Sequence, residues 1–419
     1  MLKNYRNPSD RYKLFKLIFS KSEFEFVGVL YPRGKLEKIN LLIFSDATAN
    51  IQHVFAIDYF QRLHLYCTES GKHFEFKSKK IKLKHSDFLN AVDKVFSGDF
   101  HKITMEKISP IIATHRPYHY FVDFVFGAYC GLLEFNIKKI FEHSSYSAFI
   151  DLDCFFKYQR IDCDVVQIHL NYKIDDGFPL LLTLNPKRHK IDDFENCKLF
   201  ENFTAYKEDL VKYSVHAGLN SFKQNATICS DINLWFGITN QKRLYIQQVD
   251  LVDSIVRQLL RKKDVSCISL VIDGWTSPLN KTERDQVSIE QDMIVYNNIY
   301  HSLRDLIDSK SVLISNTIGS IAVDKIATLQ KCDFAITNAG AGALFASLIC
   351  DIPTFAHTSN KMRELHSRIH LGENSYLVPE DIVFDIEDKK ASDQISYNID
   401  PEIYSLLILE CLADNHIGI

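Results

Sequence analysis

The densest chemical signal in the chain is Thr114-His115-Arg116-Pro117-Tyr118-His119-Tyr120-Phe121-Val122-Asp123. Pro117 suits the first turn of a helix, because its fixed φ is already helical and its missing N–H has no use there. His119 and Asp123 then stand four residues apart on one helix face. An imidazole beside a carboxylate makes a general base at neutral pH, since the acid fixes the tautomer and supports the imidazolium. His115 lies just before the helix and can point into the same cleft. The plainer account is a capped helix start with ordinary packing. Two histidines, one arginine and two tyrosines within six residues speak for chemistry instead. No third ligand is visible beside them, so zinc is a minor option.

A second signal is Asp333-Phe334-Ala335-Ile336-Thr337-Asn338-Ala339-Gly340-Ala341-Gly342-Ala343-Leu344. An apolar strand runs into a turn of small residues, and the turn opens a helix. Small residues let backbone N–H groups approach a ligand, and a helix N-terminus adds partial positive charge. Asn338 can cap the helix. The pattern points to a phosphate or sugar-phosphate; the alternative is a tight turn in which glycine serves packing alone. A third is Phe236-Gly237-Ile238-Thr239-Asn240-Gln241-Lys242-Arg243, where a strand ends in a polar loop with two cations. Arginine grips a diphosphate through parallel hydrogen bonds and can neutralise it without a metal. Two further loops, Asp273-Gly274-Trp275-Thr276 and Ser315-Asn316-Thr317-Ile318-Gly319, stand at strand ends where a base and a ribose could be held.

Other patterns are set aside. Asp151-Leu152-Asp153 matches the paired carboxylates that hold a divalent ion against a diphosphate, but it precedes the nucleotide-type half and is read as coincidence. His366 and His370, also four apart, are read as surface helix residues. The phosphate loop GxxxxGK[ST], GxSxG, HExxH and the EF-hand pattern do not occur.

These stretches need elements to position them. From Asn233 onward, short apolar runs alternate with helical ones: Asn233–Ile238, Gln247–Lys262, Ile268–Ile272, Asp292–Ile307, Val312–Ile314, Ile321–Leu329, Phe334–Thr337, Ala341–Cys350, Thr354–Ala356 and Lys361–Ile369. That alternation predicts a parallel, doubly wound sheet with ligands at the carboxyl ends of its strands. A last apolar helix is expected over Glu402–Leu412. The N-terminal half reads less regularly. Strand-like runs lie at Phe24–Tyr31, Ile39–Phe44, His53–Tyr66 and Phe74–Leu83, with Glu69-Ser70-Gly71-Lys72 as a hairpin turn. Tyr118–Ile140 reads as a long helix, Ser147–Phe156, Val165–Leu170 and Pro179–Leu184 as strands, and Phe194–Val215 as containing a helix.

A chain of 419 residues exceeds one ordinary core. Residues 1–225 are read as an α/β domain, 226–385 as a nucleotide-type domain, and 386–419 as a tail with its helix. The net charge of -4 gives no nucleic-acid signature. None of the 10 cysteines forms a CxxC pair, and they read as reduced, buried thiols of a cytoplasmic protein. No apolar run is long enough to span a bilayer, and lysines interrupt any signal-peptide core. The basic stretches 1–21 and Lys77–Lys84 leave peripheral contact with an anionic inner-membrane face open.

On the residues Phe236–Arg243, Thr337–Leu344 and Leu348-Ile349-Cys350-Asp351-Ile352-Pro353-Thr354, the C-terminal half resembles the donor-binding domain of GT-B glycosyltransferases. In that superfamily a small-Gly-small turn, a helix and an X-Pro-strand run contact the donor diphosphate. The His115–Asp123 cluster is similar to a His-bearing helix start in the acceptor domain of some bacterial polysaccharide glycosyltransferases. The resemblance implies two Rossmann-like domains facing a cleft. It implies a nucleotide-sugar donor on Asn240, Lys242, Arg243, Asp273, Asn316, Gly319, Asn338, Ala339, Gly340, Ala341 and Gly342. It further implies His119 or His115 as base with Asp123 as orienter, and Arg116 and Tyr118 on the acceptor side. The acceptor would be a glycan or lipid-linked glycan of lipopolysaccharide or capsule synthesis, with no cofactor, metal or nucleic acid. Retaining members carry two glutamates eight apart in the donor domain. Here that spacing occurs only at Glu134/Glu142 and Glu402/Glu410, outside it, so an inverting reaction is expected. The rival readings are a sugar-nucleotide epimerase of similar fold and a non-catalytic nucleotide- or sugar-binding protein.

Overall fold

A computed structural model describes residues 24–30, 39–46, 52–58, 63–68, 73–75, 85–102, 108–134, 137–168, 178–180, 184–188, 194–221, 230–240, 243–386 and 394–414. Lys242, both basic stretches and the turn Glu69–Lys72 lie outside the described residues. The chain divides into two units, Met1–Ser147 with Leu152–Phe203, and Ala148–Asp151 with Thr204–Ile419.

The N-terminal unit opens with five strands, β1 (Phe24–Leu30), β2 (Ile39–Asp46), β3 (Gln52–Asp58), β4 (Leu63–Thr68) and β5 (His73–Glu75). A helix, α1 (His85–Phe96), precedes the short β6 (His101–Lys102). The strands form an antiparallel sheet in the order β5-β4-β3-β2-β1-β6. Leu41 and Ile43 are fully buried two residues apart, and Ile43 pairs with buried Val54, so one face of the pleat is apolar. A second sheet follows, built from β7 (Ile108–Ile112), β8 (Lys139–His143), β9 (Asp164–Ile168) and β10 (Phe178–Leu180). Its order is β10-β7-β8-β9 and all its pairs are parallel. Ile111, Phe141 and Ile168 pack together on it.

Between β7 and β8 the chain forms a π-helical segment, His119–Val125, and then α2 (Phe126–Glu134). The helix expected to reach Ile140 therefore stops earlier, because Lys139–His143 is drawn into the parallel ladder between β7 and β9. The strand expected at Ser147–Phe156 is a loop followed by α3 (Leu152–Tyr158). Its buried residues Leu152, Phe155 and Phe156 follow the i, i+3, i+4 spacing of a helix, which outweighs the apolar run of Phe149 and Ile150 before it.

The long helix α4 (Phe194–Ser221) leads into the C-terminal sheet. Its strands are β11 (Ile232–Gly237), β12 (Ile268–Asp273), β13 (Val312–Asn316), β14 (Phe334–Asn338), β15 (Thr354–His357) and β16 (Ser375–Leu377). The spatial order is β13-β12-β11-β14-β15-β16, all parallel. Numbered within the sheet this is 3-2-1-4-5-6, the doubly wound order whose switch point lies between its first and fourth strands. β14 and β15 are buried at every position, because helices cover both faces of such a sheet. The crossovers include α5 (Gln248–Leu259), α6 (Glu283–Ser302), α7 (Arg304–Asp308), α8 (Ala322–Leu329) and α9 (Arg363–His370). α6 begins well before the expected Asp292, because Thr282 and Asp285 form a reciprocal capping box. The helix expected over Ala341–Cys350 is shorter, a π-helical segment at Leu344–Ile349. A small antiparallel pair, β17 (Val383–Asp385) and β18 (Tyr397–Ile399), precedes α10 (Pro401–Asp414), which packs on α5. No described helix is long and apolar enough to cross a membrane.

Candidate functional site

In the N-terminal unit the carboxyl ends of β7, β8 and β10 lead to the predicted cluster. His119 Nδ1 lies 2.6 Å from Asp123 Oδ2, across one turn of the π-helical segment. Asp123 is buried, and its second oxygen accepts from Asn185 Nδ2 at 2.7 Å. Leu184 N–H also donates to the Asp123 carbonyl at 3.0 Å. The carboxylate therefore has a fixed orientation on a residue that follows β10. An ionised carboxylate only accepts, so Nδ1 carries the proton and Nε2 keeps its lone pair. His119 remains partly exposed, with 32% of its side chain accessible. This is the arrangement of an oriented general base.

The other residues of the cluster separate. His115 is exposed, with Nδ1 3.2 Å from Ser147 Oγ and its ring 4.8 Å from that of Tyr146. Arg116 is exposed. Tyr118 is buried, and its hydroxyl accepts from Asn185 Nδ2 at 3.4 Å, so it braces the His119–Asp123 pair from the interior side. Asp153 pairs with Lys157 at 2.6 Å on an exposed helix face. Among the described residues no group of three metal-ligating side chains comes together.

In the C-terminal unit the structure brings Arg243 and the glycine turn into one place. Arg243 holds a left-handed backbone, φ 55°, which few non-glycine residues adopt. A Cβ on Gly340 would stand 2.9 Å from Arg243 Nη2 and 2.9 Å from Asn338 Oδ1. The guanidinium thus lies on the turn where only a hydrogen is present. Arg243 Nη1 contacts His366 Nε2 at 2.9 Å, and His366 Nδ1 contacts Thr358 Oγ1 at 2.7 Å. A guanidinium only donates, so Nε2 accepts and Nδ1 carries the proton. Burial, reinforced by the charge of Arg243, lowers the His366 pKa to about 4. His366 is therefore neutral and buried, not the surface residue expected from its helix.

The glycine turn has its own supports. Asn338 does not cap a helix. Its Oδ1 accepts from Gly340 N at 2.9 Å and its Nδ2 donates to the Tyr397 hydroxyl at 2.8 Å. That hydroxyl also lies 2.7 Å from His357 Nδ1. Asn338 donates to that hydroxyl, the hydroxyl donates its O–H to Nδ1, and burial holds His357 neutral, its pKa down to about 3. Ala339 N donates to the His357 carbonyl at 2.8 Å. Tyr397 also grips the arginine loop by its backbone, its N–H donating to Leu244 O at 2.9 Å and its carbonyl accepting from Ile246 N at 3.2 Å. One residue thus ties the Arg243 loop to the glycine turn. Ala341 and Gly342 are exposed, and among the described residues neither amide has a hydrogen-bond acceptor. The π-helical segment behind them is short, so its dipole adds little and Arg243 supplies the charge.

The remaining predicted positions form a neighbouring cluster at the ends of β12 and β13. Asp273 is buried, and its Oδ1 accepts from Lys325 Nζ at 2.5 Å and Thr317 Oγ1 at 2.9 Å. Lys325 also donates to the carbonyls of Gly274 and Trp275. Burial lowers its pKa and the Asp273 charge opposes that. Asp292 accepts from the Trp275 N–H at 2.6 Å, and the Asn240 side chain lies near enough to favour its charged form. Burial pushes the Asp292 carboxyl up to about 6. Gly319, φ 73°, donates to Trp275 O at 2.8 Å, and Asn316 Oδ1 accepts from Ile318 N at 3.2 Å. Asp273, Asn240 and Gly319 are thus engaged in holding two loops together.

Sequence reasoning missed Asn185, Thr358, His366, Lys325, Asp292 and Tyr397. Asn185, His366, Lys325 and Tyr397 act through partners at least 40 residues away, and Thr358 and Asp292 through partners 8 and 17 away; only Asn185, just before Pro186 at a strand exit, carried a local signal.

Neither a protein-family model nor a curated protein matches the chain. Among solved structures it is similar to the E. coli ADP-heptose lipopolysaccharide heptosyltransferase II at 10% identity, with 74% of this chain and 99% of that one covered and a TM-score of 0.41. It is similar to the UDP-GlcNAc 2-epimerase of Methanocaldococcus jannaschii at 11% identity, with 60% and 68% covered and a TM-score of 0.26. It is also similar to S. aureus TarM, solved with fondaparinux, α-GlcNAc-glycerol and UDP, at 10% identity, with 99% and 80% covered and a TM-score of 0.24.

Proposed function

We propose that this chain is a GT-B-type glycosyltransferase that moves a sugar from a nucleotide-sugar donor to a glycan acceptor. The observation that carries the reading is the seating of Arg243, in a left-handed backbone, against Gly340 at the carboxyl edge of a 3-2-1-4-5-6 sheet. A guanidinium beside exposed turn amides suits a diphosphate, and its fixed charge stabilises the nucleoside diphosphate as it leaves. The same charge is the reason to propose that no divalent metal is required. In the N-terminal unit His119, oriented by Asp123 and Asn185, takes the proton of the acceptor hydroxyl at Nε2. Direct attack by that hydroxyl inverts the anomeric centre. The acceptor we propose is a lipopolysaccharide or capsule glycan, with the protein working in the cytoplasm, peripherally at the inner membrane face.

The test is incubation with UDP-, GDP-, CMP- and ADP-sugars, with and without glycan acceptors and with a chelator. The expected outcome is acceptor-dependent transfer with inverted configuration that survives chelation. Interconversion of the donor sugar without any acceptor would identify an epimerase instead. Donor binding with no product under every acceptor would identify a binding protein.

A further inference from the structure

The turn that follows β15 carries two polar side chains whose buried atoms have no partner. Ser359 is fully buried, and among the described residues its Oγ has no hydrogen bond. Four residues on, the Arg363 Nη1 is also buried without a hydrogen-bond acceptor. The carboxylate that serves this turn, Asp385, is committed elsewhere. Its two oxygens accept from the amides of Asn360 at 2.8 Å and Lys361 at 3.1 Å. No described carboxylate forms an ion pair with Arg363.

Buried polar groups in folded proteins are almost always hydrogen-bonded. Two unmet donors on one turn therefore point to an acceptor that is not part of the chain. Their place in the fold says which. Ser359 follows Thr358, and Arg363 stands one helical turn before His366 on α9. Thr358 and His366 are the residues that hold Arg243. The unmet donors thus adjoin the support of the guanidinium at the glycine turn.

We propose that Ser359 and Arg363 form a second anion-binding position beside the Arg243 site. It takes a further negatively charged oxygen group of the same ligand, and in this respect rests on the nucleotide-sugar reading. The chemistry fits the second phosphate of a diphosphate or a carboxylate on the transferred sugar. Arg363 binds such a group through a charge-assisted hydrogen bond, and the Ser359 hydroxyl donates to a second oxygen.

Binding of inorganic phosphate, inorganic pyrophosphate, nucleoside mono- and diphosphates, and neutral and uronic-acid nucleotide sugars should be measured on wild type, Arg363→Met and Ser359→Ala. The expected result is that R363M loses about tenfold or more in affinity while nucleoside monophosphate binding is kept. Loss for pyrophosphate and nucleoside diphosphates identifies the second phosphate. Loss confined to the uronic-acid donors identifies a sugar carboxylate. A second readout separates binding from structure. If Arg363 serves the ligand, R363M without ligand melts close to wild type, since the buried Nη1 gives up no hydrogen bond. Equal affinities in wild type and both variants would overturn the proposal and leave the nucleotide-sugar reading standing. So would a lower melting temperature of R363M with unchanged binding by S359A. Pyrophosphate binding that R363M abolishes, in a protein that binds no nucleotide, would keep the anion position and overturn the nucleotide-sugar reading.

Discussion

The imidazole of His119 is the group whose role can be isolated most cleanly. Its Nδ1 is bound by Asp123, and that carboxylate is held by Asn185, so only Nε2 is left for an acceptor proton. We expect His119→Ala to lower kcat by about 10²- to 10⁴-fold, the range for loss of a positioned base, with donor affinity unchanged. Equal loss of turnover and donor affinity, measured by kinetics and direct titration, would remove the base assignment. This pair was legible in the sequence because its two members stand four residues apart. Asn185 was not, since it lies 62 residues from its partner. His366 was misread for a related reason. The polar run Arg363-Glu364-Leu365-His366-Ser367 describes a surface helix, and nothing local announces Arg243, 123 residues away.

Two short elements at the candidate site are π-helical: His119–Val125, which carries the histidine and its aspartate, and Leu344–Ile349, which follows the glycine turn. Such segments are rare and recur at functional sites, because a widened turn shifts side chains out of helical register. Periodicity predicted a helix at each place, and the i→i+5 ladder escapes it because the apolar spacing over so few residues is nearly the same. The C-terminal strands were legible because a parallel sheet covered on both faces needs unbroken apolar runs. The run at Phe149 and Ile150 misled for the same reason, since burial alone does not separate a strand from a loop entering a helix. Gly340 is where sequence and element meet. Its missing side chain leaves room for Arg243 and lets Asn338 close the turn. Gly340→Ala would put a methyl 2.9 Å from both groups. We expect donor or diphosphate affinity to fall by about tenfold while the melting temperature changes little, because the guanidinium tip can move aside. Unchanged affinity in a titration would mean that Arg243 is not the diphosphate ligand. A collapse in melting temperature with affinity intact would mean that the glycine serves packing alone.

The C-terminal unit as a whole should respond to pH through three buried groups, and their signs differ. His366, near 4, and His357, near 3, are held neutral by burial, well below the usual histidine value. The unfolded chain binds protons at these positions before the folded one does. Their contribution to stability is complete above about pH 6.5 and is lost as pH falls from there towards 4. Asp292 works the other way. Its carboxyl is raised to about 6, so the folded form holds a proton that the unfolded chain has released. Its contribution is complete below about pH 4 and is lost as pH rises to 6. Two histidines held down to about 4 and 3 outweigh one aspartate raised to about 6, so the net effect of acidification from pH 7 to 4.5 is a falling melting temperature. Asp292→Asn removes this opposing proton uptake, and its amide oxygen can still accept from the Trp275 N–H. We therefore expect this variant to be at least as stable as wild type at pH 7 and to lose stability more steeply on acidification. Protonating His366 would also set a second cation against the Arg243 guanidinium and displace it from Gly340. Donor affinity should then fall along with stability below about pH 5, and His366→Gln, which can still accept from the guanidinium, should keep its affinity there. Melting curves and donor titrations between pH 4.5 and 7.5 on the three proteins test both statements. A D292N profile parallel to wild type would remove Asp292 from the account, and an H366Q affinity that falls with the same slope would remove His366 as the group that orients Arg243.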